Sequence, residues 1–219
     1  MLWRTFLAGD GNMRFAMIGY VQKDILNPLM IGINPSDNFL FDLQFYISKQ
    51  MTEDNGYLNV LYVIQNNGRK VENYPELPIA KTYPTPFCIE NTEGYDIDLN
   101  LADQSPIPRY FMKTSNFDIF DEKQEIRPFR IAGEFVAHTM GEQPSFSTVL
   151  KQNVNMGFNQ YDLVGAWTKE NLISTVRKLL ERGAQVTIRE NLIASDQDWV
   201  DDLKGYCFSF LQDGDLEII

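Results

Sequence analysis

His138 is the single histidine in 219 residues. Glu134, His138 and Glu142 are spaced four apart. On a helix they would line one face, where two carboxylates and an imidazole could hold a divalent metal. Gly133 and Gly141 bracket the stretch, however, and Phe135-Val136 suits a strand equally well. On a strand the three would share a face over too long a span for one ion. The simpler expectation is a lone surface or interface histidine with no catalytic role.

Asp96, Asp98 and Asn100 match the first three ligand positions of a calcium loop. The match then fails, because the sixth position is Leu101 instead of Gly and the twelfth is Ile107 instead of Glu. A strand with an apolar inner face and an acidic outer face explains Tyr95 to Leu101 as well. A nucleophile with a general base would have to pair His138 with Cys88, Cys207 or a serine such as Ser145. Nothing resembles Gly-x-Ser-x-Gly, and both phosphate-loop patterns are missing. Glycosidases show that carboxylates alone can suffice, but 30 acidic residues do not single out a pair. No catalytic residue, metal ligand or cofactor site is therefore expected.

The charge distribution is more distinctive. The net charge is -11, from 30 acids and 19 bases. That disfavours a broad nucleic-acid face or docking on anionic lipid. From Glu190 onward there are eight acids and one base, Lys204. Asp196, Asp198, Asp201, Asp202, Asp213, Asp215 and Glu217 form a candidate surface for a basic protein partner. A helix dipole accounts for the acids of a first turn only. Asn and Gln number 29 and aromatics 28, a composition suited to wet protein contacts. Cys88 and Cys207 make no disulfide framework and are expected as buried free thiols in a reducing compartment. No signal peptide and no membrane span is expected.

The elements that must position these residues read mainly as strands up to about Gly141. Leu2 to Ala8 and Met13 to Val21 flank Gly9-Asp10-Gly11-Asn12, which predicts a hairpin. Phe39 to Ser48 fits a strand or a helix, and its aromatics favour the strand. Tyr57 to Gln65 predicts a strand turning at Asn66-Asn67-Gly68 into Arg69 to Asn73. Pro75, Pro78, Pro84 and Pro86 exclude a helix or a central strand and predict an ordered segment packed on its own domain. Arg109 to Ile119 and Ile126 to Ala137 read as further strands. Ser145 to Gln152 predicts a short helix. Thr168 as N-cap, the Trp167–Leu172 staple, the Leu172, Val176, Leu179 and Leu180 stripe, and Gly183 predict a helix over 169–182. A strand over 184–188, a helix opened by Ser195 and ended by Gly205, and a hairpin around Asp213-Gly214 complete the chain.

The fold class expected is α+β: a mainly antiparallel β-rich part, 1–142, followed by an α-β-α-β-β segment, 143–219, sharing one core with it. The function expected is a non-enzymatic structural or adaptor subunit of a larger assembly, such as a phage virion tail, neck or baseplate component. Its partners would be other protein subunits, without direct nucleic-acid or membrane contact. It would be made in the cytoplasm and could enter a virion. The alternatives are an acidic inhibitor or immunity-type protein, and a carboxylate- or metal-dependent hydrolase.

Overall fold

The computed structural model describes residues 12–50, 57–66, 68–99, 109–114, 117–120, 125–128, 145–207 and 215–219. The run Phe15-Ala16-Met17-Ile18 is completely buried, with no polar residue alternating into it. Such a run suits a strand covered on both faces, which is where parallel sheets place their strands. It forms the middle of β1 (Asn12–Gly19), and β1 has a parallel neighbour on each side. One is β2 (Tyr57–Asn66), and the other is β5 (Gln160–Trp167). The full order is β4-β3-β2-β1-β5-β6-β7. β3 is Arg109–Thr114, β4 Glu125–Pro128, β6 Gln185–Ser195 and β7 Leu216–Ile218. Six of these strands run parallel, and only β4 is antiparallel, at the edge beside β3.

The architecture is therefore α/β, which corrects the expected α+β class with an antiparallel N-terminal part. The expected hairpins fail for one reason. β1 has both edges taken by parallel strands, so no antiparallel partner can pair with it. β2 lies between β1 and β3, so Arg69 to Asn73 cannot fold back on it; Val71–Glu76 is a 3-10 turn instead. β7 pairs parallel with β6. Of the expected terminal hairpin, Tyr206 and Cys207 belong to a helix, and residues 208–214 lie outside the described residues. Leu2 to Ala8 and Phe129 to Ala137 lie outside the described residues. Strands from both halves of the chain stand in one sheet.

Parallel strands need crossovers, and helices supply them. α1 (Lys23–Leu26), α2 (Pro28–Ile31) and α3 (Phe39–Phe45) lie between β1 and β2. Phe39 to Ser48 is thus not a strand. Phe39, Leu43, Tyr46 and Ile47 are buried at helical spacing, while Phe41 and Phe45 face solvent. The Pro75 to Pro86 segment is built of 3-10 turns that bury Tyr74, Ile79 and Phe87. Tyr95 to Leu99 makes a single bridge, Gln22 to Ile97, and no strand.

The second half follows local signals closely. Ser145 caps α4 (Phe146–Asn155), and Thr168 caps α5 (Lys169–Leu180). Gly183 then takes the left-handed conformation, φ 83°, that ends such a helix without a Cβ clash. α6 (Val200–Cys207) starts later than expected and runs past Gly205.

The sheet has two unlike faces. Phe15, Tyr62 and Tyr161 point to one, where Phe146 of α4 closes an aromatic cluster with Tyr62 at 5.8 Å and Tyr161 at 6.5 Å. Arg14 and Asp162 point to the other, where Tyr46 follows α3.

Candidate active site at the strand ends

β2 and β3 extend the sheet on one side of β1, and β5 to β7 extend it on the other. This reversal leaves a crevice outside the carboxyl ends of β1 and β5, where open α/β sheets bind ligands. Here the chain's own side chains occupy it. Gly19 ends β1, and a Cβ there would lie 2.3 Å from Cε2 of Trp167. Only a glycine admits the indole this closely. Trp167 is fully buried, donates its Nε1–H to the Val164 carbonyl at 2.9 Å, and meets Tyr20 edge-on at 5.5 Å. The Tyr20 and Thr114 hydroxyls share a hydrogen bond of 3.1 Å, and Phe117 covers the Tyr20 ring at 4.8 Å. Burial pushes the Tyr20 phenol above its ordinary range. These side chains seal the crevice with neutral groups.

Chemically competent groups stand beside it, where β1 and β2 end. Gln22 is completely buried; its Oε1 accepts from the Asn66 amide at 2.6 Å, and its Nε2 donates to the carbonyls of Asn66 and Tyr95. Arg69 donates to Oδ1 of Asn66 and to the Phe87 carbonyl at 3.4 Å. Its guanidinium lies against the Cys88 thiol and favours the thiolate. Asp24, in α1, accepts the Cys88 backbone N–H at 2.7 Å. Burial is the larger influence on the thiol and pushes it up to about 12, so Cys88 is protonated at neutral pH.

Two features mark this cluster. Cys88 has φ 51°, a left-handed conformation that costs a non-glycine residue about 1–3 kcal/mol and concentrates at functional sites. The Nδ2 of Asn66 is a buried donor without a hydrogen-bond partner among the described residues. Native proteins rarely leave one so. A thiol, a carboxylate, a guanidinium and a vacant N–H donor are the parts of an acyl-transfer site.

The residues singled out in the sequence are placed differently. By sequence Cys88 is a candidate nucleophile only through His138, which lies outside the described residues with Glu134 and Glu142. Asp24 and Arg69 carry no local signal; the β1-to-β2 crossover brings Asp24 to Cys88, and the segment that follows β2 brings Arg69. Backbone groups of Asp96 and Asp98 tie their segment to Lys23 and Val21. No group of three His, Cys, Asp or Glu that could hold a metal ion occurs among the described residues.

Of the acidic segment, Asp196 accepts the Lys169 N–H at 2.7 Å, and Asp202 pairs with the Lys169 ammonium at 2.6 Å. Asp198 accepts the Val200 N–H, Asp201 lies in the first turn of α6, and Glu217 is exposed on β7. The Asp215 carbonyl accepts the Val186 N–H, and Asp213 lies outside the described residues. Several of these acids thus serve helix starts and sheet edges.

No protein-family model and no curated protein sequence matches the chain. Solved structures do resemble it in fold. An isochorismatase-like hydrolase from Alkaliphilus metalliredigens superposes with a TM-score of 0.59 at 16% identity, covering 94% of this chain and 93% of that one. Pyrazinamidase of Pyrococcus horikoshii in complex with zinc gives 0.59 at 13% identity, covering 94% and 98%. N-carbamoylsarcosine amidase from Thermoplasma acidophilum gives 0.55 at 10% identity, covering 94% and 95%. The described residues offer no donor set for a zinc ion like the one in the pyrazinamidase complex.

These likenesses establish the fold, and they correct the functional expectation. A non-enzymatic virion or adaptor subunit finds no support when fold neighbours spanning nearly the whole chain are hydrolases. Among the described residues no helix is long and apolar enough to cross a membrane, and nothing supports incorporation into a virion.

Proposed function

We propose that this chain is a hydrolase that cleaves a small carboxamide or related C–N compound, with Cys88 as nucleophile. The observation that carries the reading is the meeting of Cys88, Asp24, Arg69 and the vacant Asn66 donor at the strand ends. The amidases among the fold neighbours suggest the bond type.

In this scheme the Cys88 sulfur attacks the amide carbon and its proton passes to Asp24. The Asn66 Nδ2–H and the Arg69 guanidinium stabilise the oxyanion. The C–N bond then breaks, and the amine leaves with the proton from Asp24. Water hydrolyses the resulting thioester to the carboxylic acid and restores the thiol. Because Cys88 is completely buried, substrate must displace part of the 71–90 connection to reach it.

The test is ammonia release by the purified chain from nicotinamide, pyrazinamide and N-carbamoylsarcosine. The expected result is turnover with at least one of them, lowered about a thousandfold or more by Cys88→Ala with the fold intact. No ammonia from any of the three, or a Cys88→Ala variant as active as the parent, overturns the proposal.

A further inference from the structure

On the face of the sheet that carries α3, two local irregularities oppose each other. β5 and β6 pair in register up to Leu163 and Ile188 and resume at Gly165 and Ile193. Val164 alone therefore stands against Arg189, Glu190, Asn191 and Leu192, which bulge from β6. Across from them the helix begun by α3 widens into a π-helical turn at Tyr46–Gln50. Bulges re-aim side chains beside binding sites, and π turns gather at the same places. Between the two lies a cavity of about 170 Å³, lined by Asp42, Phe45, Tyr46, Arg189, Asn191 and Leu192.

Arg189 is held in position by chemistry behind the cavity. Its Nε donates to Oδ2 of Asp162 at 3.4 Å, and its guanidinium lies 5.1 Å over the Tyr46 ring. Asp162 is itself fixed by Arg14 and by the Tyr46 hydroxyl at 2.7 Å. The two terminal nitrogens of Arg189 have no hydrogen-bond partner among the described residues. The side chain keeps 20% of its exposure. A guanidinium anchored through Nε with its fork open matches a carboxylate in a bidentate geometry.

The surroundings narrow the ligand further. Asp162 engages both Arg14 and Arg189, so it does not serve Arg189 alone. Asp42 on the cavity wall disfavours a dianion. Phe45, Tyr46 and Leu192 supply apolar surface. We propose that this cavity binds a small aromatic monocarboxylate, with the carboxylate on Arg189 and the ring against Phe45 and Leu192. The proposal is independent of the Cys88 site.

The test is calorimetric or NMR titration of the full chain with benzoate, benzamide as its neutral isostere, and inorganic phosphate. Saturable benzoate binding is expected at about 0.1–1 mM, as befits a ligand of this size. Benzamide and phosphate should bind at least about tenfold more weakly. Arg189→Lys, which keeps the charge and loses the fork, should weaken benzoate about tenfold. Asn191→Ala, on the exposed bulge, serves if Arg189→Lys does not fold, with a loss of about threefold or more expected. No saturable binding by about 10 mM, benzamide or phosphate binding as tightly as benzoate, or variants with unchanged affinity would overturn the proposal.

Discussion

Tyr161 and Asp162 are neighbours in β5, yet they live in different solvents. Tyr161 stacks on Phe15 at 4.8 Å and meets Phe146 in a dry aromatic layer under α4. Asp162 points the other way, into Arg14, Arg189 and the Tyr46 hydroxyl. Both residues are almost fully buried. The aromatic face gains from the removal of apolar area from water, which is indifferent to direction. The ionic face must first overcome desolvation, and it succeeds only because each partner is in place. The first face is therefore expected to tolerate conservative change, and the second to be intolerant of the loss of any one member.

The most damaging change should be Asp162→Ala. It removes the carboxylate that the partly buried Arg14 and Arg189 guanidinium groups share, and a loss of about 3–5 kcal/mol is expected in denaturant unfolding. A loss below about 1 kcal/mol would mean that solvent screens this face, and the contrast with the aromatic face would collapse.

A matched pair of variants sharpens the comparison. Tyr46→Phe deletes a hydrogen bond to a charged acceptor and should cost about 1.5–3 kcal/mol. Tyr161→Phe deletes only the bond received from Asn153 Nδ2 at 3.2 Å and should cost about 0.5–1.5 kcal/mol. Equal costs would show that the charge on Asp162 adds nothing to the Tyr46 bond.

The smallest effect concerns pH. Burial, first among the causes, raises both phenols above their ordinary value of 10.0; the Asp162 charge adds to the rise at Tyr46. Below that value the phenols are neutral in both folded and unfolded chains. Above it the unfolded chain loses protons that the folded chain retains, so stability falls as pH rises. The cost of Tyr161→Phe should therefore shrink between about pH 8 and about pH 11, because the variant has no such proton to lose. A cost that grows over this interval would contradict the burial of Tyr161.

The sealed crevice shows how much of the site was legible beforehand. Gly19 and Trp167 are 148 residues apart in the chain and unremarkable singly; only their contact explains both. Cys88 was visible as a thiol, but Asp24 and Arg69 gave no cue that they would reach it. The Asp162 cluster was invisible because Arg14, Tyr46, Asp162 and Arg189 come from four separate segments. Phe39 to Ser48 offered two periodicities, and the burial of Leu43, Tyr46 and Ile47 against the sheet selected the helix.

What the sequence determined by itself is whatever is decided within a few residues. Thr168 accepting the Asn171 N–H, the buried Leu172, Val176 and Leu179, and the left-handed Gly183 make α5 recognisable from its own fourteen or so positions. The same locality made β1, β2 and β3 recognisable as strands. Their direction was decided only by the tertiary structure. A strand's side-chain period is written in its own residues, whereas its pairing depends on which distant strand covers each edge. Asp-Gly and Asn-Gly permit a tight turn but do not require one when a helical crossover can bury both faces of the sheet. The apolar continuity of Phe15 to Ile18 and Val60 to Ile64 was the trace of that burial, and the crossovers turned it into a parallel sheet.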